Sequence, residues 1–129
     1  VNDGDYARSR ARGLTRTGRS RQAVAATLVQ RGVATPVLAE ALDEVLGASG
    51  DDEGRDHELG AALVLARKRR IGPFAKDACP EVDDGPSEDD MRKTLGLFAR
   101  HGFSRDVAEA VLAMDPDEAE DRVIAIKAL

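Results

Sequence analysis

The sequence predicts an all-α protein, with tandem three-helix modules in an elongated array, and three observations carry that reading. Apolar residues recur at three- and four-residue spacing in nearly every periodic segment, and strand-like alternation is missing. Glycines and prolines fall between those segments, where helices stop and start. Aromatics are scarce, with one Tyr, three Phe and no Trp in 129 residues, so the core must be built from Ala, Leu and Val. Small side chains suit closely packed helices.

A helix starting at Asp3 puts Ala7, Ala11 and Leu14 on one narrow face and Arg8, Arg12 and Arg16 on another at i, i+4, i+8. Tyr6 on this helix is expected to pack at a junction between modules, with base stacking as the alternative. Gly13 weakens the helix and Thr17-Gly18 ends it, just before Ser20 caps the next. From Ser20 to Arg31 the apolar positions are Val24, Ala25, Leu28 and Val29, and Gly32 closes the segment. Thr35 then reads as an N-cap followed by Pro36 at the first helical position, and Val37, Leu38, Ala41, Leu42 and Val45 form a stripe running to Gly47.

After the polar linker 47–52, a helix over 52–70 carries Leu59, Ala62, Leu63 and Ala66 and ends in Arg67-Lys68-Arg69-Arg70. Residues 71–86 read as an acidic loop, with three prolines and little periodicity. Ser87-Glu88-Asp89-Asp90 is a capping-box start, after which Met91, Leu95 and Phe98 face inward until His101-Gly102 stops the helix. Ser104 caps a helix bearing Val107, Ala110, Val111 and Met114, and Asp115-Pro116 starts a last short one with Val123 and Ile124 or Ile126 available to dock.

A shift of 70 residues lays Leu28, Gly32, Val33, Val37, Ala41 and Leu42 on Phe98, Gly102, Phe103, Val107, Val111 and Leu112. The repeat defines three-helix units at 1–47 and 51–114, the second carrying loop 71–86 between its first two helices, with a C-terminal helix over 115–129. Units this small bury little area alone, so neighbours are expected to share contacts.

Charge is as uneven as the apolar pattern is regular. The net charge is −5, yet residues 1–33 hold seven arginines against Asp3 and Asp5. Like charges four apart cost an isolated helix about 0.2 to 0.5 kcal/mol per pair, so the Arg8, Arg12, Arg16 stripe does not exist to stabilise its helix. An anionic partner offsets that cost; a solvated face is the plain alternative. Arg8, Arg12, Arg16, Arg19 and Arg21 are therefore the first candidate partner-binding residues. Arg67, Lys68, Arg69 and Arg70 are the second, set against their simpler role of complementing a helix carboxyl end.

The motifs Asn2-Asp3 with Tyr6-Ala7, Gly18 with Ser20, Arg31-Gly32-Val33, Val37 and Ala41-Leu42 resemble the second module of the RecX regulatory protein family. Ala66-Arg67-Lys68-Arg69 and Arg92-Lys93, Leu95, Phe98, Gly102-Phe103-Ser104 and Val107 resemble its third. The likeness runs from Val1 to about Met114. Family members carry an earlier three-helix module with no counterpart here, and Val1 is not an initiator Met, so a processed or shortened chain is expected. The resemblance implies a modulator of the RecA recombinase, usually an inhibitor, that binds the RecA filament on single-stranded DNA along its groove. DNA repair, recombination and the SOS response are the setting this implies.

No Gly-rich phosphate loop, no metal-spaced Cys or His pair and no nucleophile with a base is present, so neither an enzyme nor a cofactor or metal site is expected. His57 and His101 read as surface or capping residues, and Cys79, the single cysteine, as incidental. With no apolar run of the roughly 20 residues a membrane span needs, a monomeric cytoplasmic protein is expected. A stand-alone helical DNA-binding module and a protein adaptor are the rival readings. The first is weakened by a helix over 35–46 that carries Glu40, Asp43 and Glu44 and no cation.

Overall fold

The computed structural model describes residues 3–48, 51–74 and 88–129. Seven α-helices follow in order: α1 Asp3–Arg16, α2 Arg21–Gln30, α3 Thr35–Leu46, α4 Asp52–Arg69, α5 Glu88–Arg100, α6 Arg105–Leu112 and α7 Pro116–Lys127, with one 3-10 turn at Gly72–Phe74. No strand occurs among the described residues.

The helix ends are where the sequence placed them, and they share one chemistry. After α1 the amide of Arg19 donates to the Leu14 carbonyl and that of Gly18 to Thr15, a closure that needs the left-handed backbone of Gly18. The same paired bonds close α2 at Gly32 and α5 at Gly102. Ser20, Ser104 and Asp115 cap α2, α6 and α7, each accepting from an amide two or three residues on. One start differs: α3 begins at Thr35 with Ala34 in the cap position and no side-chain bond, so Thr35 is not the cap. Pro36 fits there because its ring sits in the first turn, where no amide hydrogen is needed. The predicted Ser87 cap, Ser49-Gly50, Cys79 and residues 75–86 of the acidic loop lie outside the described residues.

Two hydrophobic clusters form. Ala7, Ala11, Val24, Leu28, Val33, Leu38, Ala41, Leu42, Val45 and Leu46 make the first, between α1, α2 and α3. α1 lies mainly on α3, and the fully buried Ala7 and Ala11 present no bulk that would hold the two axes apart. Phe98 and Phe103 meet edge to face at 6.0 Å in the second cluster, with Val107, Val111, Ala119, Val123 and Ile126 around them. α7 belongs to this cluster and packs chiefly on α4.

The sequence pattern on α4 points to one apolar stripe, but every residue from Leu59 to Ala66 is buried. A helix apolar on all sides must be enclosed, and α4 has α6 and α7 against it as well as α1 and α3. Its small residues make room: a side chain on Gly60 would begin 2.9 Å from the Ile126 Cβ. Leu129 packs against both clusters. Ionic ties run outward from α4, Arg55 to Asp106 on α6 at 2.6 Å and Arg122 of α7 to Asp56 at 3.3 Å. Both are exposed and add little stability.

The end of α4 is its weak point. Arg70 takes the left-handed cap position at φ 55° without being glycine, while Ile71 donates back to the Ala66 carbonyl. A β-carbon there costs about 1 kcal/mol. Arg70→Gly is therefore expected to raise unfolding free energy by about 1 kcal/mol, measurable by urea denaturation.

Candidate functional site

The two clusters meet at a joint built from the glycine ends. Gly18 turns the chain so closely over α4 that a Cβ on it would sit 3.1 Å from the Leu65 backbone nitrogen. Two residues on, the buried Ser20 hydroxyl donates to the His101 carbonyl at 2.8 Å while accepting from the Ala23 amide. Gly102 is required opposite: its φ is +87°, and a Cβ would lie 2.5 Å from the Ser20 oxygen. One serine thus starts α2 and fastens it to the end of α5.

Beneath the joint Glu58 of α4 accepts from the Arg21 amide at 3.1 Å. The Arg21 guanidinium reaches the other way, to Asp43 at 2.7 Å and the Gly47 carbonyl at 2.6 Å. His57 holds its Nδ1 3.0 Å from the Leu46 carbonyl and 2.8 Å from that of Glu53, the capping role read from its position. Burial pushes the Glu58 carboxyl above the usual range, and the Arg21 amide and guanidinium only partly oppose that shift.

Above the joint lies a cleft of about 540 Å³ whose walls carry Arg19, Lys68, Arg69 and Arg100, with Gln22 and His101 beside them and Ala23, Ala26 and Leu65 as an apolar floor. The carboxyl ends of α1, α4 and α5 converge here, since Thr17-Gly18, Lys68-Arg69 and Arg100 to Gly102 all line it. Lys68 answers one of those ends directly, donating to the Thr17 carbonyl at 2.6 Å. Three helix ends bring about −1.5 elementary charges in all. Four cations more than offset that. Among the described residues Arg19, Arg69 and Arg100 have no ion-pair partner.

The candidate cations therefore divide. Arg19, Lys68 and Arg69 come together in the cleft although 49 residues separate Arg19 from Lys68. Arg12 and Arg16 are exposed on α1, and Arg67 and Arg70 are exposed outside the cleft lining. Arg8 and Arg21 are committed within the first cluster, Arg8 to Asp5 and to Glu44 at 3.3 Å, Arg21 to Asp43. The stripe Arg8, Arg12, Arg16 is thus not uniformly free. Tyr6 is 37% exposed on α1. Arg100 escaped the sequence reading. Its only signal was its place just before His101-Gly102, and what brings it to Arg19 is a contact spanning 81 residues.

Residues 2–42 match the family profile described as RecX, second three-helix domain. Regulatory protein RecX of Agrobacterium fabrum is 34% identical over 121 residues, covering 94% of this chain and 56% of that protein. Over most of its length the chain is similar to the RecX regulatory proteins. Its likeness to Regulatory protein RecX of Myxococcus xanthus is 30% over 116 residues, covering 90% of the chain and 55% of the relative, and to that of Mycobacterium sp. (strain KMS) 29% over 119 residues, covering 89% and 56%. The chain spans about half the length of these RecX relatives. No solved structure gives a significant match. Among the described residues no group of His, Cys, Asp and Glu is arranged to hold a metal ion, and no helix is long and apolar enough to cross a membrane.

The raised pKa of Glu58 has a stability consequence whose sign is set by the direction of the shift. The folded state holds this proton more tightly than the unfolded chain, so the contribution of Glu58 is most favourable at low pH and is lost as pH rises through its folded pKa. Glu58→Gln keeps an oxygen for the Arg21 amide and removes the charge. It is expected to melt above the parent chain at pH 7, with the gap closing as pH falls into the ordinary glutamate range; a gap that widens on acidification refutes the assignment.

Proposed function

We propose that this chain modulates the RecA recombinase, as an inhibitor, by binding the RecA filament on single-stranded DNA. Two observations support the reading together: similarity to the RecX regulatory proteins over most of the chain, and a cleft whose cations exceed what the helix ends beside it require. A unit seated in the groove of a nucleoprotein filament meets polyanionic surface, and cations already gathered and unpaired are ready to engage it without first breaking internal ion pairs. Arg19, Lys68, Arg69 and Arg100 form the principal contact, with Arg12 and Arg16 of α1 as a second patch and Arg67 and Arg70 at its margin. Binding there limits strand exchange, ATP hydrolysis and stimulated repressor self-cleavage. No catalytic step by the chain itself is involved, and the setting is the cytoplasm.

Arg8 and Arg21 have a different part in this account. They tie α1 and α2 to the acidic residues of α3 and so hold the first cluster that carries Arg19.

Inhibition of RecA ATP hydrolysis on oligothymidylate tests the proposal. The double variant Arg69→Glu with Arg100→Glu is expected to need at least about tenfold more protein for equal inhibition, with circular dichroism and melting close to the parent chain because both side chains are exposed and have no ion-pair partner among the described residues. Undiminished inhibition by that variant, or no inhibition by the parent chain, would overturn it.

A further inference from the structure

α2 is unlike the rest of the surface. A third of the chain is charged, 33% of its residues, yet α2 carries no charge between Arg21 and Arg31. Its inner positions Val24 and Leu28 fill the first cluster. Its outer positions are Gln22, Ala26 and Val29, one turn apart on a single face, all exposed, with Val29 at 53%. Two of the three, Gln22 and Ala26, also line the basic cleft, so the neutral face runs without a break into the cationic walls.

We infer that this composite surface docks an acidic, amphipathic segment of a partner protein, its apolar side chains on Ala26 and Val29 and its carboxylates on Arg19, Arg69 and Arg100. Charge complementarity sets the sign of the occupant, and the neutral face sets its kind. A nucleic-acid strand asks for cations along its whole track and for aromatic platforms under its bases. The cleft offers only the His101 ring, and the track beyond it on α2 has no cation until Arg31. A protein segment asks for an apolar contact rimmed by charges, which is what α2 and the cleft present together. The inference rests on the cleft being the partner-binding surface of the proposed function, but not on RecA being the partner.

The probe is a short fluorescein-labelled peptide of alternating leucine and glutamate, titrated with the full chain and followed by anisotropy. Binding is expected to weaken as salt rises and to be lost in Arg69→Glu with Arg100→Glu. The deciding variants are Ala26→Lys and Val29→Lys. Both positions are exposed and lysine suits a helix, so folding is preserved. Each adds a cation facing an acidic ligand, so charge alone would tighten binding, whereas loss of the apolar contact is expected to weaken it about tenfold. Unlabelled oligothymidylate is expected not to displace the peptide. No binding of the peptide, tighter binding by either lysine variant, or displacement by the oligonucleotide each overturns the inference. Because the probe contains neither RecA nor DNA, peptide binding alongside a failed RecA assay would remove RecA as the partner and leave the docking chemistry standing.

Discussion

The bond from the Ser20 hydroxyl to the His101 carbonyl is the contact on which the arrangement of the two clusters turns. Its net worth in free energy is modest, about 0.5 to 1.5 kcal/mol for a hydrogen bond of this kind. Its importance is geometric. Ser20 is wholly buried, and its oxygen already accepts from the Ala23 amide, so one atom fixes both where α2 begins and where α5 ends. Apolar contact comes from α4, whose buried Leu59–Ala66 run lies in the second cluster while the helix also meets α1 and α3 of the first. Apolar contact is non-directional, and the serine supplies the register that α4 alone does not. The cleft follows from that register, because its walls are the ends of helices from both sides of the joint.

The arginines on either side of Ser20 have two distinct fates, and the acidic residues of α3 account for one of them. Asp43 and Glu44 lie next to each other near the end of α3 and take up Arg21 and Arg8. Those arginines become part of the first cluster's scaffold, half-buried against α3. Arg19 lies two residues before Arg21 and has no ion-pair partner among the described residues. It lines the cleft with the last turns of α4 and α5, which bring further cations. Positive charge thus gathers in the cleft although the chain as a whole is acidic.

Much of the fold was legible because it is written locally. Glycines at 18, 32 and 102 and caps at Ser20, Ser104 and Asp115 act within a few residues of where they stand, and periodicity found each helix between them. Thr35 misled for a local reason as well: threonine before proline has the chemistry of a cap, but α3 starts one residue earlier and the hydroxyl makes no cap bond. What stayed hidden is what depends on distance along the chain. The enclosure of α4 was invisible because alanines and glycine at 60–62 read as weak pattern, when their smallness is what admits neighbours on every side. For the same reason the arginine stripe looked uniform in sequence, since nothing near Arg8 in the chain announces Glu44. Arg100 was equally silent.

A basic cleft in an acidic protein also has a bearing on selectivity. At physiological ionic strength charges are screened over about 8 Å, so a ligand outside the cleft does not feel the cleft's cations as a distant field. It meets whichever charges lie directly under it. The acidic exposed residues of α3, α6 and α7 repel a polyanion that approaches broadside, while a narrow acidic segment entering the cleft meets cations on both sides at contact range. For the docking inferred above, the exposed cations of the cleft supply the charge contact, and the neutral face of α2 favours ligands that bring something apolar to lay upon it.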